Sequence, residues 1–166
     1  LIVGILMRSG TVAVALTDQA CGPDDVASSD SVSVLDLLKE GYLAMDGGDP
    51  ETSLGYYRAA VDRAKTSEER FQAYFGVGAA AAVLARFDEA REAYRAALGV
   101  KPGSARTIFA LAEISERQEL WDEAASLYAE AAVRDPALVE ALTRLGAIYA
   151  RQGRHEEAAA SCQRAL

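Results

Sequence analysis

The sequence predicts an all-α fold, a solenoid of about four helix-turn-helix repeats wound into a right-handed superhelix. The first sign is a recurrence. Phe87-Asp88-Glu89-Ala90, Tyr94, Ala97 and Pro102 return as Trp121-Asp122-Glu123-Ala124, Tyr128, Ala131 and Pro136, an offset of 34 residues. A third copy opens at His155-Glu156-Glu157-Ala158 and runs to Leu166. The second sign is periodicity: no stretch keeps a two-residue alternation, so strands are not needed. A period near 34 with bulky and small residues at fixed places is the mark of stacked helix pairs. One pair cannot bury its apolar face alone, and stacking makes the core continuous.

The chain of 166 residues is long enough for about four such pairs. At 51% hydrophobic and 25% charged residues it belongs with folded chains, not disordered ones. A nucleic-acid binder is expected to carry a basic face, which a net charge of -8 disfavours, so no nucleic-acid partner is expected. Cys21 and Cys162 form neither a disulfide framework nor a metal-ligand cluster.

Three segments are expected. Residues 1–21 are an apolar N-terminal segment, residues 22–33 a linker rich in Pro, Asp and Ser, and residues 34–166 the repeat domain. Leu1–Leu16 is too short and broken for a comfortable membrane span. It reads as the remnant of a secretory signal or a membrane tether, with Ala20-Cys21-Gly22 weakly resembling a bacterial lipobox. The other readings are a frayed or cloning-derived tail and an edge helix packed on the first repeat. The compartment therefore stays open between the cytoplasm and an exported or lipid-anchored bacterial protein. A start on Leu and a stop after one last helix read as a fragment of a longer chain.

Repeat by repeat, boundaries fall at 34–70, 71–104, 105–138 and 139–166. In the first, Ser31 or Ser33 caps a helix over Val34–Asp46. Gly47-Gly48 breaks it, and Pro50 opens a second helix to about Ala64. The second repeat predicts helices over Phe71–Ala85 and Phe87–Leu98, closed by Gly99 and Pro102. The third predicts Ala105–Gln118 and Trp121–Val133, and the fourth Ala137–Arg151 and His155 to the end. Gly41 to Gly78 is 37 residues, three more than the standard step. The surplus in Lys65–Arg70 predicts a longer second helix or a longer loop.

These residues resemble the tetratricopeptide repeat family from about Val34 to Leu166. The resemblance implies small residues where the paired helices cross, here Gly41, Gly78, Ala112 and Gly146 against Ser53, Ala90, Ala124 and Ala158. Small side chains let backbones approach to the near end of the usual ~8–10 Å helix spacing. Tyr57, Tyr94 and Tyr128 would then fill the space between repeats, with Cys162 at the fourth such place. The acid pairs Asp88-Glu89, Asp122-Glu123 and Glu156-Glu157 complement the helix dipole, at about 0.3–1 kcal/mol each. His155 aligns with Phe87 and Trp121, so packing is its expected role, and Cys162 is expected to be an inert core thiol.

By the same resemblance, the first helix of each pair lines a concave groove. The residues expected there include Leu38, Tyr42, Phe75, Ala79, Arg106, Phe109, Glu113, Arg117, Thr143 and Arg151. Leu38, Tyr42, Phe75 and Phe109 would receive an apolar helix or extended peptide, and Arg106, Arg117 and Arg151 would steer acidic groups. Family members that clamp a C-terminal carboxylate carry Lys and Asn where Phe75, Ala79, Phe109 and Glu113 stand, so that mode is not expected. The opposing expectation is that residues 1–16, or further chain, cover this face.

The expected function is a non-enzymatic protein-interaction scaffold with a protein or peptide partner and no cofactor, metal or catalytic residue. The alternatives are a module that self-assembles through its uncapped last repeat, giving a homo-oligomer, and the accessory arm of an enzyme.

Overall fold

The computed structural model describes residues 32–165. The expectations for residues 1–21, for most of the linker, for a cap at Ser31 and for Leu166 lie outside the described residues. Among the described residues there are eight α-helices and no strand: α1 (Val34–Asp46), α2 (Pro50–Arg63), α3 (Ser67–Val83), α4 (Phe87–Val100), α5 (Ala105–Arg117), α6 (Trp121–Arg134), α7 (Val139–Arg151) and α8 (His155–Arg164). Each helix packs on the next in chain order, and α1 also meets α3 as α3 meets α5. This is the expected solenoid of four hairpins. None of these helices is long and apolar enough to cross a membrane.

The repeat is written into the backbone of the turns. Gly48, Ala85, Glu119 and Gly153 hold the same place between paired helices, with φ of 79°, 57°, 60° and 74°. Glycine reaches that left-handed region freely, and a residue with a Cβ does not.

Helix starts follow local chemistry. Ser33 caps α1 by accepting the Asp36 N–H, and Asp49 caps α2 by accepting the Thr52 N–H, with Pro50 in the first turn. No side chain caps α4, α6 or α8, so the acids in their first turns face the bare amide end. Two of those acid pairs also join hairpins. Gln118 donates to Asp88 at 3.5 Å and Gln152 to Asp122 at 2.8 Å. Arg58 pairs with Glu89, and Arg91 with Glu123 at 2.8 Å.

The three surplus residues resolve differently from the expectation. They lengthen neither α2 nor a loop but start α3 one turn early, at Ser67. The cause is a capping box: Thr66 accepts the Glu69 N–H, and the Glu69 carboxylate accepts the Thr66 N–H. Gly99 does not close α4 either, because the helix runs on to Val100.

Ser53, Ala90, Ala112 and Ala124 are sealed from solvent as expected at the crossings, whereas Ala158 on α8 is only half-buried. Ser53 also donates to the Gly41 carbonyl at 2.8 Å, which ties α2 to α1. Tyr94 and Tyr128 are buried between hairpins. Cys162 is exposed, not a core thiol, and His155 is exposed, not packed as Phe87 and Trp121 are. The outer face of α1 also departs from its equivalents. Asp36 and Glu40 stand exposed where later hairpins bury Ala73, Thr107 and Ala141, and Val77, Leu111 and Leu145.

Candidate functional site

The first helices of the hairpins supply the site. Leu38 and Tyr42 on α1, Phe75 on α3 and Arg106 on α5 line one cavity of about 430 Å³, together with Tyr57, Glu68, Phe71, Gln72 and Gly76. Its wall is aromatic. The Phe75 ring lies 6.3 Å from Phe71 and 5.6 Å from Tyr94, and the Arg106 guanidinium sits over it at 5.1 Å. Lys101 covers the Phe71 ring at 5.0 Å. Leu38 is buried beneath, whereas Tyr42 is 64% exposed at the rim.

The remaining expected residues spread along the same helices. Phe109 packs its ring 5.2 Å from Tyr128 and is half-buried. Glu113, one turn further on α5, is half-buried, and that burial lifts its carboxyl above the usual glutamate range despite the opposing pull of Arg144 and Arg117. Burial also raises the Tyr94 and Tyr128 phenols; Tyr128 donates to Glu116 at 2.6 Å. Ala79 is half-buried on α3, and Thr143 donates to its own helix at the Val139 carbonyl, 3.1 Å away.

The three arginines expected to steer acids are all engaged within the chain. Arg106 covers Phe75, Arg117 donates to the Ala82 carbonyl at 3.1 Å, and Arg151 stacks over Trp121 at 4.1 Å. The cavity thus unites Leu38, Tyr42, Phe75 and Arg106, while Ala79, Phe109, Glu113, Arg117, Thr143 and Arg151 are not among its lining residues. Sequence reading missed Tyr57, Glu68, Phe71 and Gly76 as lining residues. Thr66-Ser67-Glu68-Glu69 is the available signal for Glu68, since its capping box starts α3 one turn before Phe71.

A second cavity of about 430 Å³ lies among α2, α3 and α4, with Val61, Tyr74, Glu92 and Ala96 in its wall. Only one aromatic ring, Tyr74, lines it, and the Arg58–Glu89 ion pair borders it. No group of His, Cys, Asp and Glu among the described residues could hold a metal ion.

Two blocks of the chain, residues 38–105 and 109–166, match the family model of the tetratricopeptide repeat. The chain belongs to the tetratricopeptide repeat family. Solved structures agree on the fold. The crystal structure of MamA superposes with a TM-score of 0.76 at 23% identity, over 87% of this chain and 82% of that one. MamA from residue 41 onward from Desulfovibrio magneticus gives 0.73 at 17% identity, over 86% and 79%. A tetratricopeptide repeat protein from Parabacteroides merdae gives 0.72 at 18% identity, over 79% of this chain and 51% of that one. At such identities the likeness is one of fold. The search of curated proteins finds no match. As a tetratricopeptide repeat protein the chain is a helical scaffold of the kind used for protein interaction.

Proposed function

We propose that this tetratricopeptide repeat protein is a non-enzymatic scaffold that holds a partner peptide or helix in its concave groove. The observation that supports this reading is the aromatic cavity of Tyr42, Phe71 and Phe75, whose rim residue Tyr42 is 64% exposed. An apolar side chain seated there removes its own surface and that of Tyr42 from water, worth roughly 25 cal/mol per Å² of apolar area. Aromatic anchors of this kind carry most of the energy in peptide recognition. The cavity shared by α1, α3 and α5 is favoured over the one among α2, α3 and α4 because four rings, not one, line it.

Phe75 and Phe109 are not clean probes of binding. Their rings pack on Tyr94 and Tyr128, so truncating either removes core contacts as well. Tyr42 is the better choice because most of its side chain faces solvent. The test selects binders from a random-peptide display library on the full chain, then measures them against Tyr42→Ser. Peptides that lose affinity for the variant, with its melting temperature unchanged, support the groove. Peptides that bind both forms equally contradict it.

A further inference from the structure

The cations and acids on and beside the first helices of the hairpins are not equally satisfied. Lys101 and Arg106 each cover an aromatic ring, Arg117 holds a helix carbonyl, and Arg151 stacks on Trp121. Arg144 is shared between Glu116 at 3.7 Å and Glu140 at 3.5 Å. Among the acids, Glu116 has Tyr128 and Arg144, Glu140 has Arg144, and Glu68 accepts from Gln72 at 3.0 Å. Glu113 alone of these carboxylates makes no hydrogen bond or ion pair of its own among the described residues, although it is half-buried.

No buried side-chain oxygen among the described residues lacks a partner, so the Glu113 carboxylate reaches solvent; its partial burial weakens that hydration, and a cationic donor brought by a ligand would replace the water with a charge-assisted hydrogen bond. Phe109, one turn before it on α5, offers an apolar surface to the methylene stem of a long side chain. Resting on the groove reading above, we propose that Glu113 fixes the chemistry of the partner: the bound segment carries an arginine or lysine beside the apolar anchor that fills the Tyr42–Phe75 cavity.

Spacing narrows the motif. Glu113 follows Arg106 of the cavity wall by seven residues on α5, which is about 10 Å along a helix axis. An extended chain covers that distance in about three residues. The expected partner is therefore an extended segment with a large apolar residue and, about three positions away, a basic one. An acidic tail, the ligand that Lys and Asn clamps take, meets an unpaired carboxylate here.

The test reads the charge of the peptides selected on the full chain. Enrichment of basic residues near the apolar anchor is expected, with a loss of about tenfold in affinity for those peptides on Glu113→Gln, the scale of one charge-assisted hydrogen bond. Glu113→Arg is expected to shift the enrichment to Asp and Glu. Groove-dependent peptides with no charge preference, or unchanged affinity for Glu113→Gln, overturn this inference and leave the groove standing. Peptides indifferent to Tyr42→Ser overturn the groove reading itself.

Discussion

The ring of Tyr57 occupies the space that a side chain on Gly76 would need: a Cβ there would lie 2.4 Å from the nearest ring carbon. Tyr57 comes from the first hairpin and Gly76 from the second. The same ring also touches Gly41 of its own hairpin, where a Cβ would lie 2.9 Å away. One tyrosine thus sets how closely two hairpins stack, and through that the width of the cavity above Phe75.

Gly76→Ala is therefore expected to destabilise the protein. Alanine gains about 1 kcal/mol of helix propensity, but forcing the ring aside costs about 1–3 kcal/mol. We expect a net loss near 1 kcal/mol in urea unfolding. Gly99→Ala is the control, since nothing stands within 4 Å of a Cβ there. It is expected to gain about 0.5 kcal/mol, less than a mid-helix site because it is next to the end of α4. Equal effects from both would show that the Tyr57 contact is not limiting.

The turns offer a stabilising change. Ala85 and Glu119 hold φ of 57° and 60°, where Gly48 and Gly153 serve the other hairpins. Releasing a left-handed residue recovers about 1–2 kcal/mol, and the added freedom of the unfolded chain takes back about 0.5–1 kcal/mol. Ala85→Gly is expected to raise stability by about 0.5–1 kcal/mol, seen as a higher melting temperature. A drop would mean that the Ala85 methyl has a packing role.

Glu113 gives a pH dependence. Burial raises its folded carboxyl above the unfolded value, so the protonated form is favoured by folding. The stability it contributes is fully present below the ordinary glutamate pKa and is lost as pH rises through the raised folded value. Glu113→Gln mimics the protonated state. It is expected to melt higher than the parent chain at neutral pH and to lose that advantage in acid. A variant that melts lower at neutral pH would show that the charged form is held by a partner.

The outer face of α1 bears on self-assembly. A copy stacked end to end on α8 would have to bury Asp36 and Glu40, at places where later hairpins bury apolar or small residues. Unpaired charges resist such burial. Asp36→Ala with Glu40→Val is expected to promote concentration-dependent growth in light scattering beyond that of the parent chain. No difference between the two would remove α1 as the barrier.

Much of this was legible in the sequence, and the reasons lie in particular residues. The 34-residue offset relates the second, third and fourth hairpins, through the small residues at helix crossings and the tyrosines between hairpins, while Gly47-Gly48 and Pro50 mark the first. Leu38, Tyr42, Phe75 and Arg106 were placed in the groove by their position in the repeat, and the structure brings them into one cavity. The role of Arg106, Arg117 and Arg151 was not legible, because a charge read from sequence does not reveal the ring or carbonyl it already holds. Glu68 falls outside the helix expected to start at Phe71, because the Thr66–Glu69 capping box starts α3 one turn earlier. Cys162 was misjudged because its equivalents Tyr57, Tyr94 and Tyr128 each lie under a following hairpin, while among the described residues nothing packs beyond α8.

The most direct measurement maps a display-selected peptide onto the labelled full chain by backbone amide shifts. The account predicts that the largest changes fall at Tyr42, Phe71, Phe75 and Arg106, with Glu113 responding to a basic residue in the peptide. Changes confined to Val61, Tyr74, Glu92 and Ala96, in the cavity among α2, α3 and α4, would contradict it.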